Sequence, residues 1–340
     1  MKKTLRKKSI ELRAAKRHLT KMKQPQDKKW YIINEKLISI GLQIKHKETG
    51  WPMPIWTRVK SELPSSLEAA SGCVAEVNDT ILIGRQNTVH KLKRTKKWQK
   101  SKNVRIPIHQ LIESDGRCFI EGCEESTWKI FEYFEKKSSL KEVTALPVNI
   151  PGVSIKANQG ILYAVGGNEG TTGSTQAHCF DLRNSGDGWI PIQSLSHGRF
   201  NCSMSFIDDR LFIGGGWNAK NKPCNSVECL SLGAERWTQK CPTTEKACEI
   251  TNLYGRPVAT GGINSLGLAA SQVVNVYADE NNSWLPLPSM SKPRYHHGAC
   301  TTGDGRLFVV GGWGSYGSIE GLDCEPSLRP LQTTETVLNF

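Results

Sequence analysis

Six short apolar runs in this chain each stop at a glycine. They are Ile81-Leu82-Ile83-Gly84, Phe119-Ile120-Glu121-Gly122, Leu162-Tyr163-Ala164-Val165-Gly166-Gly167, Leu211-Phe212-Ile213-Gly214-Gly215-Gly216, Val258-Ala259-Thr260-Gly261-Gly262 and Leu307-Phe308-Val309-Val310-Gly311-Gly312. Aligned on the first paired glycine they fall at 84, 122, 166, 215, 261 and 311, with spacings of 38, 44, 49, 46 and 50 residues. A period of this size marks a repeat architecture, in which one small unit cannot bury its apolar face alone and must stack on its neighbours.

The units continue alike. After the glycines comes a polar, Gly- and Asn-rich stretch, then a strand: Val89 to Leu92, Ile130 to Tyr133, Ala177 to Phe180, Val227 to Leu230, Val273 to Tyr277 and Val337 to Phe340. Short β-rich runs bounded by turn residues read as strands. A turn and a Trp follow (Trp98, Trp189, Trp237, Trp284), with Leu140 in that place in the second unit. A Pro-containing connection leads onward, twice ending in Arg, as Arg199-Phe200-Asn201-Cys202 and Arg294-Tyr295-His296-His297.

This pattern resembles the kelch repeat: apolar strand, Gly-Gly, variable loop, Tyr, a Trp about seven residues later, then a Pro/Arg connection. Tyr277 to Trp284 and Leu230 to Trp237 keep that spacing, whereas Arg85 and Cys123 replace the second glycine in the first two units. The resemblance spans roughly 56–340 and implies an all-β fold, a six-bladed kelch-type β-propeller. Glycines in the strands permit close backbone approach, and the phased Tyr and Trp supply large apolar surfaces, each with one polar atom to satisfy. Phe340 is placed in the position of Tyr277, with no Trp strand after it. Trp56-Thr57-Arg58-Val59 reads like Leu140-Lys141-Glu142-Val143, so an N-terminal strand near Trp56 is expected to complete the last blade. The expected domains are a basic extension over 1–50, amphipathic helix and linker, and a propeller over 51–340.

Charge is unevenly spread. The net charge is +13, and residues 1–60 hold 17 Lys/Arg against Glu11, Asp27, Glu35 and Glu48. Leu5, Leu12 and Leu19 recur every seven residues, which reads as an amphipathic helix ended by Pro25. Lys2, Lys3, Arg6, Lys7, Lys8, Arg13, Lys16 and Arg17 are the candidate polyanion contacts, because Lys/Arg clusters gain from counterion release. A solvated tail, a nuclear address, a mitochondrial presequence and docking on a partner helix or on the propeller are the other readings. A second basic run, 85–110, has nine basic residues and no acids, and reads as a solvated blade face. The 11 cysteines lack paired CxxC spacing and, with no secretory signal or membrane-length apolar run in view, are expected to be reduced thiols in a cytoplasmic or nuclear protein, without metal.

Relatives of this fold include both enzymes and scaffolds. The one constellation suggesting chemistry is Arg294-Tyr295-His296-His297. Adjacent strand residues point to opposite faces, so His296 and His297 are not expected to share a metal. No catalytic residue and no cofactor is assigned. The favoured reading is a non-enzymatic scaffold whose loop face holds a peptide or protein through Trp217, Trp313, Tyr316, Arg199 and Arg294, residue types common in binding hot spots. The resemblance extends this to a substrate adaptor of a ubiquitin ligase. The alternatives are an RNA- or polyanion-associated subunit acting through the basic head, and a kelch-like propeller enzyme.

Overall fold

The structure, a computed structural model, describes residues 55–58, 73–92, 98–170, 172–218, 220–267, 269–302, 307–316, 327–330 and 334–338. The basic head, with Lys2 to Arg17, and the expected boundary at residue 50 lie outside them. Among the described residues no helix is long and apolar enough to cross a membrane.

The fold is an all-β propeller. After β1 (Ile55–Arg58), five sheets follow, each of four consecutive strands. The first is β2 (Val74–Val77), β3 (Thr80–Arg85), β4 (Thr88–Leu92) and β5 (Trp98–Asn103). The second is β6 (Gln110–Ser114), β7 (Arg117–Glu124), β8 (Thr127–Phe134) and β9 (Ser139–Ala145). The third is β10 (Ser154–Asn158), β11 (Ile161–Val165), β12 (Ala177–Asp181) and β13 (Ile190–Ile192). The fourth is β14 (Ser203–Ile207), β15 (Arg210–Gly214), β16 (Val227–Ser231) and β17 (Thr238–Lys240). The fifth is β18 (Glu249–Leu253), β19 (Arg256–Thr260), β20 (Val274–Ala278) and β21 (Ser283–Leu287). β22 (Gly298–Thr301) and β23 (Leu307–Val310) begin a sixth sheet, β24 (Trp313–Tyr316) and β25 (Ser327–Pro330) form a separate hairpin, and β26 (Thr334–Leu338) returns to the sixth. That sheet has the order β1-β26-β23-β22, so it is assembled from both ends of the chain.

The first strands, β2, β6, β10, β14, β18 and β22, touch one another in that order, and β22 also touches β2, which closes a circle around a central channel. Apolar clusters fill the spaces between neighbouring sheets. One joins the last sheet to the first, Cys300, Phe308 and Val310 against Val74, Ile81 and Ile83. The phased tryptophans seal these spaces at the rim. The indole N–H groups of Trp189, Trp237 and Trp284 donate to the carbonyls of Ala145, Gln193 and Cys241, at 2.7, 2.7 and 2.8 Å. Each acceptor lies at the outer edge of the preceding sheet. Trp284→Phe keeps most of the apolar surface but orphans the Cys241 carbonyl. It should cost about 1 kcal/mol or more, read as a lower urea midpoint at unchanged slope; no change would mean the indole only fills space.

The glycine pairs have a steric cause. Gly166 and Gly261 adopt φ of +74° and +55°, and a Cβ at either would collide with the carbonyl oxygen of Arg199 or Arg294 on the next connection. The first two units escape this by closing their second hairpins in tight turns, Gln86-Asn87 and Glu125-Ser126, without a long loop.

Register refines the repeat alignment. Val337 pairs with Trp56 as Tyr277 pairs with Trp284. Val337, not Phe340, therefore holds the Tyr277 position, and the last strand begins at Thr334. In the first unit Gly84 pairs with Val89 as Gly214 pairs with Val227, so Arg85 occupies the place of the first paired glycine. In the basic run, Lys91 pairs with Glu135 at 2.6 Å and Arg105 with Glu124 at 2.7 Å, so two of its cations are bound to acids of the next sheet.

Candidate functional site

The loops after the glycine pairs and the Arg connections meet on one end of the channel. Trp217 and Phe200 exchange backbone hydrogen bonds, both 3.0 Å, and Trp313 and Tyr295 do the same at 2.8 and 3.0 Å. Just beyond each connection the chain turns left-handed, at Asn201 (φ +47°), Ala247 (φ +47°) and His296 (φ +49°). Non-glycine residues in that region are sparsely populated and cluster at functional sites. The regular strand then resumes. Gln110, Ser154, Ser203 and Glu249 open the inner strands of four consecutive sheets at the same register.

These residues surround a cavity of about 400 Å³ at the channel mouth, with walls that include His109, Trp128, Lys156, Asn201, His296, His297 and Trp313. A small adjoining recess carries Trp217 beside Glu249. The Trp217 indole stacks on the His296 ring, centroids 5.7 Å apart and planes within 10°. Trp128 meets His109 edge-on at 4.5 Å.

Two carboxyls face this space. Glu121 is 2% exposed. Gln110 holds its place by donating to a Glu121 carboxylate oxygen at 3.5 Å and to the Val153 carbonyl, while accepting from the Ile155 N–H at 3.0 Å. Burial pushes the Glu121 carboxyl up to about 8, only partly offset by Gln110. Glu249, half-exposed to the channel, is pushed up to about 7 by burial against the opposing pull of Lys156 and Ser203. A carboxyl raised in this way keeps a proton that the unfolded chain has already released. Each site therefore costs stability as pH rises from the ordinary carboxylate range through its raised value. The two groups belong to the second and fifth sheets, three places apart around the circle in either direction. His297 is buried, its Nε2 lies 2.9 Å from the Thr260 hydroxyl, and its Nδ1 has no hydrogen-bond partner. Burial, helped by Arg294 and His296, holds its imidazole well below the usual range.

Comparison with known proteins agrees with this geometry. The Kelch motif model matches residues 198–240, the fourth sheet with the Arg199 connection before it. Kelch-like protein 26 of Danio rerio is 24% identical over 162 residues, 45% of this chain. Alpha-scruin of Limulus polyphemus is 24% identical over 174 residues, 48% of this chain. The chain covers only 26% and 19% of those two relatives' own lengths. Among solved structures, that of YjhT superposes with a TM-score of 0.66 at 15% identity, covering 82% of this chain and 99% of that one, which shows the fold. Residues 198–240 thus carry a kelch motif, and the chain is similar to kelch-repeat proteins.

In this propeller the five expected partner-binding residues separate into two groups. Trp217 and Trp313 are half-buried and line the recess and the mouth. Tyr316 ends β24, and its side chain lies outside the described residues. Arg199 and Arg294 are 1% and 0% exposed, so they do not meet a partner from the surface. Arg199 donates to the carbonyls of Gly215 and Ser226, to the Ser226 hydroxyl and to Glu228, and Arg294 donates to the Gly311 carbonyl. They tie the connection of one blade to the loop of the next. His296 and His297 lie in the connection before β22, outside a regular strand, and both line the cavity. None of the ten described cysteines is in a disulfide.

The residues not anticipated are Glu121, Glu249, Trp128 and His109. Glu121 had a signal: a carboxylate inside the apolar run Phe119-Ile120-Glu121-Gly122, where the fourth, fifth and sixth repeats have Gly214, Thr260 and Val310.

Proposed function

We propose that this propeller is a non-enzymatic interaction scaffold, its six sheets acting as the blades of one closed ring that presents the channel mouth to a peptide or protein. The observation carrying this reading is the set of half-buried indoles, Trp128 and Trp313 at one polar cavity and Trp217 in the recess beside it, on a backbone-locked frame. Large aromatic side chains on rigid supports give contact area at low entropic cost, and such residues dominate binding hot spots.

A narrower form of the reading is a substrate adaptor of a ubiquitin ligase. It is supported by relatives such as Kelch repeat and BTB domain-containing protein 2 of Ectromelia virus, 24% identical over 36% of this chain.

The test is affinity capture with the full-length chain and its Trp217→Ala/Trp313→Ala variant. Partner recovery should fall at least about tenfold, since hot-spot truncations cost about 2 kcal/mol or more. The melting temperature should move by only a few degrees, because the backbone bonds of both positions survive. Unchanged recovery would remove the mouth as the binding face. A collapse in stability would make these tryptophans packing residues.

A further inference from the structure

We propose that the channel mouth receives one cationic side chain, a lysine or arginine presented by the bound peptide, between Glu121 and Glu249 and against the indoles of Trp128 and Trp313. The inference rests on the peptide-binding reading above and specifies what that peptide must carry.

Three independent observations lead to it. The first is charge. Although the whole chain carries +13, the described residues lining the channel set four carboxylates against one ammonium. Glu121 and Glu249 stand at the mouth, Glu76 and Glu113 lie deeper, and Lys156 reaches both levels. The deeper pair already serve turns, Glu76 accepting from the Asp79 N–H and Glu113 from the Gly116 N–H. Lys156 is close enough to Glu249 to favour its ionised form. Among the described residues no cation is paired with Glu121.

The second observation is an under-used acceptor. Glu121 is 98% buried, yet among the described residues the one hydrogen bond to its carboxylate is the long 3.5 Å contact from Gln110. Buried carboxylates ordinarily hold short, charge-assisted bonds. On the same cavity wall the buried Nδ1 of His297 also has no partner. The under-used Glu121 carboxylate favours a ligand that donates hydrogen bonds.

The third is the kind of wall. Trp128 and Trp313 present indoles to the same cavity, and Trp is the best ring for holding an ammonium or guanidinium. An anionic ligand would meet both carboxylates with only Lys156 in its favour. A wholly apolar one would desolvate the two carboxyls further without adding a hydrogen-bond donor.

A cation at this place favours ionised Glu121, so binding should strengthen as pH rises through about 8, while the ligand's own lysine stays charged.

The experiment uses the full-length chain and a random peptide library displayed on phage, panned at pH about 8. The probes are the selected peptides. They should share one Lys or Arg, and its replacement by norleucine should weaken binding at least about tenfold, the worth of a charge-assisted bond. Glu121→Gln/Glu249→Gln should weaken the parent peptide equally and the norleucine peptide hardly at all, the non-additivity expected of contacting groups. Affinity should rise from pH about 6 to about 8 in the native chain and stay flat in the double variant. Gln keeps the side-chain volume and removes the ionisation cost, so the variant should melt no lower than the native chain. If it fails to fold, the norleucine replacement and the native pH profile decide alone. Peptides that lose binding with Trp313→Ala but share no cation, or ignore Glu121→Gln/Glu249→Gln, would overturn the cation site and leave the peptide-binding reading standing. Absence of any peptide sensitive to Trp313→Ala would overturn both.

Discussion

Glu228→Ala is expected to lower the stability of the propeller by about 3–5 kcal/mol, the cost of stripping one partner from a buried ion pair. Glu228 is 0% and Arg199 1% exposed, with Nη2 to Oε1 at 2.9 Å. The second carboxylate oxygen accepts the Ser196 N–H at 2.8 Å. Alanine would leave a desolvated guanidinium and an orphaned amide on the connection that supports the channel mouth. Glu228→Gln retains an acceptor and should cost less. Arg199→Lys loses the planar fork that reaches the Gly215 and Ser226 carbonyls together, so it is not conservative here. Urea unfolding measures all three, and a loss under about 1 kcal/mol for Glu228→Ala, the range of a surface pair, would show that water screens the site. Arg294 repeats the pattern by donating to Gly311 as Arg199 donates to Gly215, and Glu335 pairs with Val309 as Glu228 pairs with Ile213.

This pair marks the limit of what the sequence could show. The strand-glycine runs located the second strand of every sheet, because a strand buried on both faces must be apolar and the glycine pair must admit a neighbouring carbonyl. The Trp phase located the outer edge for the same steric reason. Arg199 was recognisable as part of the repeat, yet its burial was not: Glu228 lies 29 residues away, and only strand register puts it beneath the guanidinium. Assigning Arg199 and Arg294 to a binding face followed residue type where the fold had already used the charge. Glu249 was equally hidden. Its neighbours Ala247 and Cys248 look like ordinary strand residues, and its place at the mouth comes from the left-handed turn at Ala247. His296 and His297 both reach the cavity at the same kind of turn, left-handed at His296, which no local pattern announces. The positions of Trp217 and Trp313 near the channel mouth were legible, because each directly follows a glycine pair whose loop opens at that end.

Deleting residues 1–60 should destabilise the ring by several kcal/mol, whereas deleting 1–25 should leave its melting temperature unchanged. The longer cut removes β1, whose four residues pair with β26, Ile55 with Leu338 through Arg58 with Glu335. Backbone hydrogen bonds contribute about 0.5–1.5 kcal/mol each, so the ladder alone is worth a few kcal/mol before any side chain is counted. The larger consequence is topological. β26 would become a bare outer edge held only by β23, in the one sheet that joins the two ends of the chain. An exposed edge also recruits other strands, so dimers or aggregates should accompany the lower melting point. The shorter cut takes away ten of the basic residues and none of the described strands. Thermal melts with size-exclusion profiles on the two truncations separate the cases. Equal midpoints would mean that β1 adds no closure, and that the apolar contact of Val74, Ile81 and Ile83 with Phe308 and Val310 holds the circle by itself.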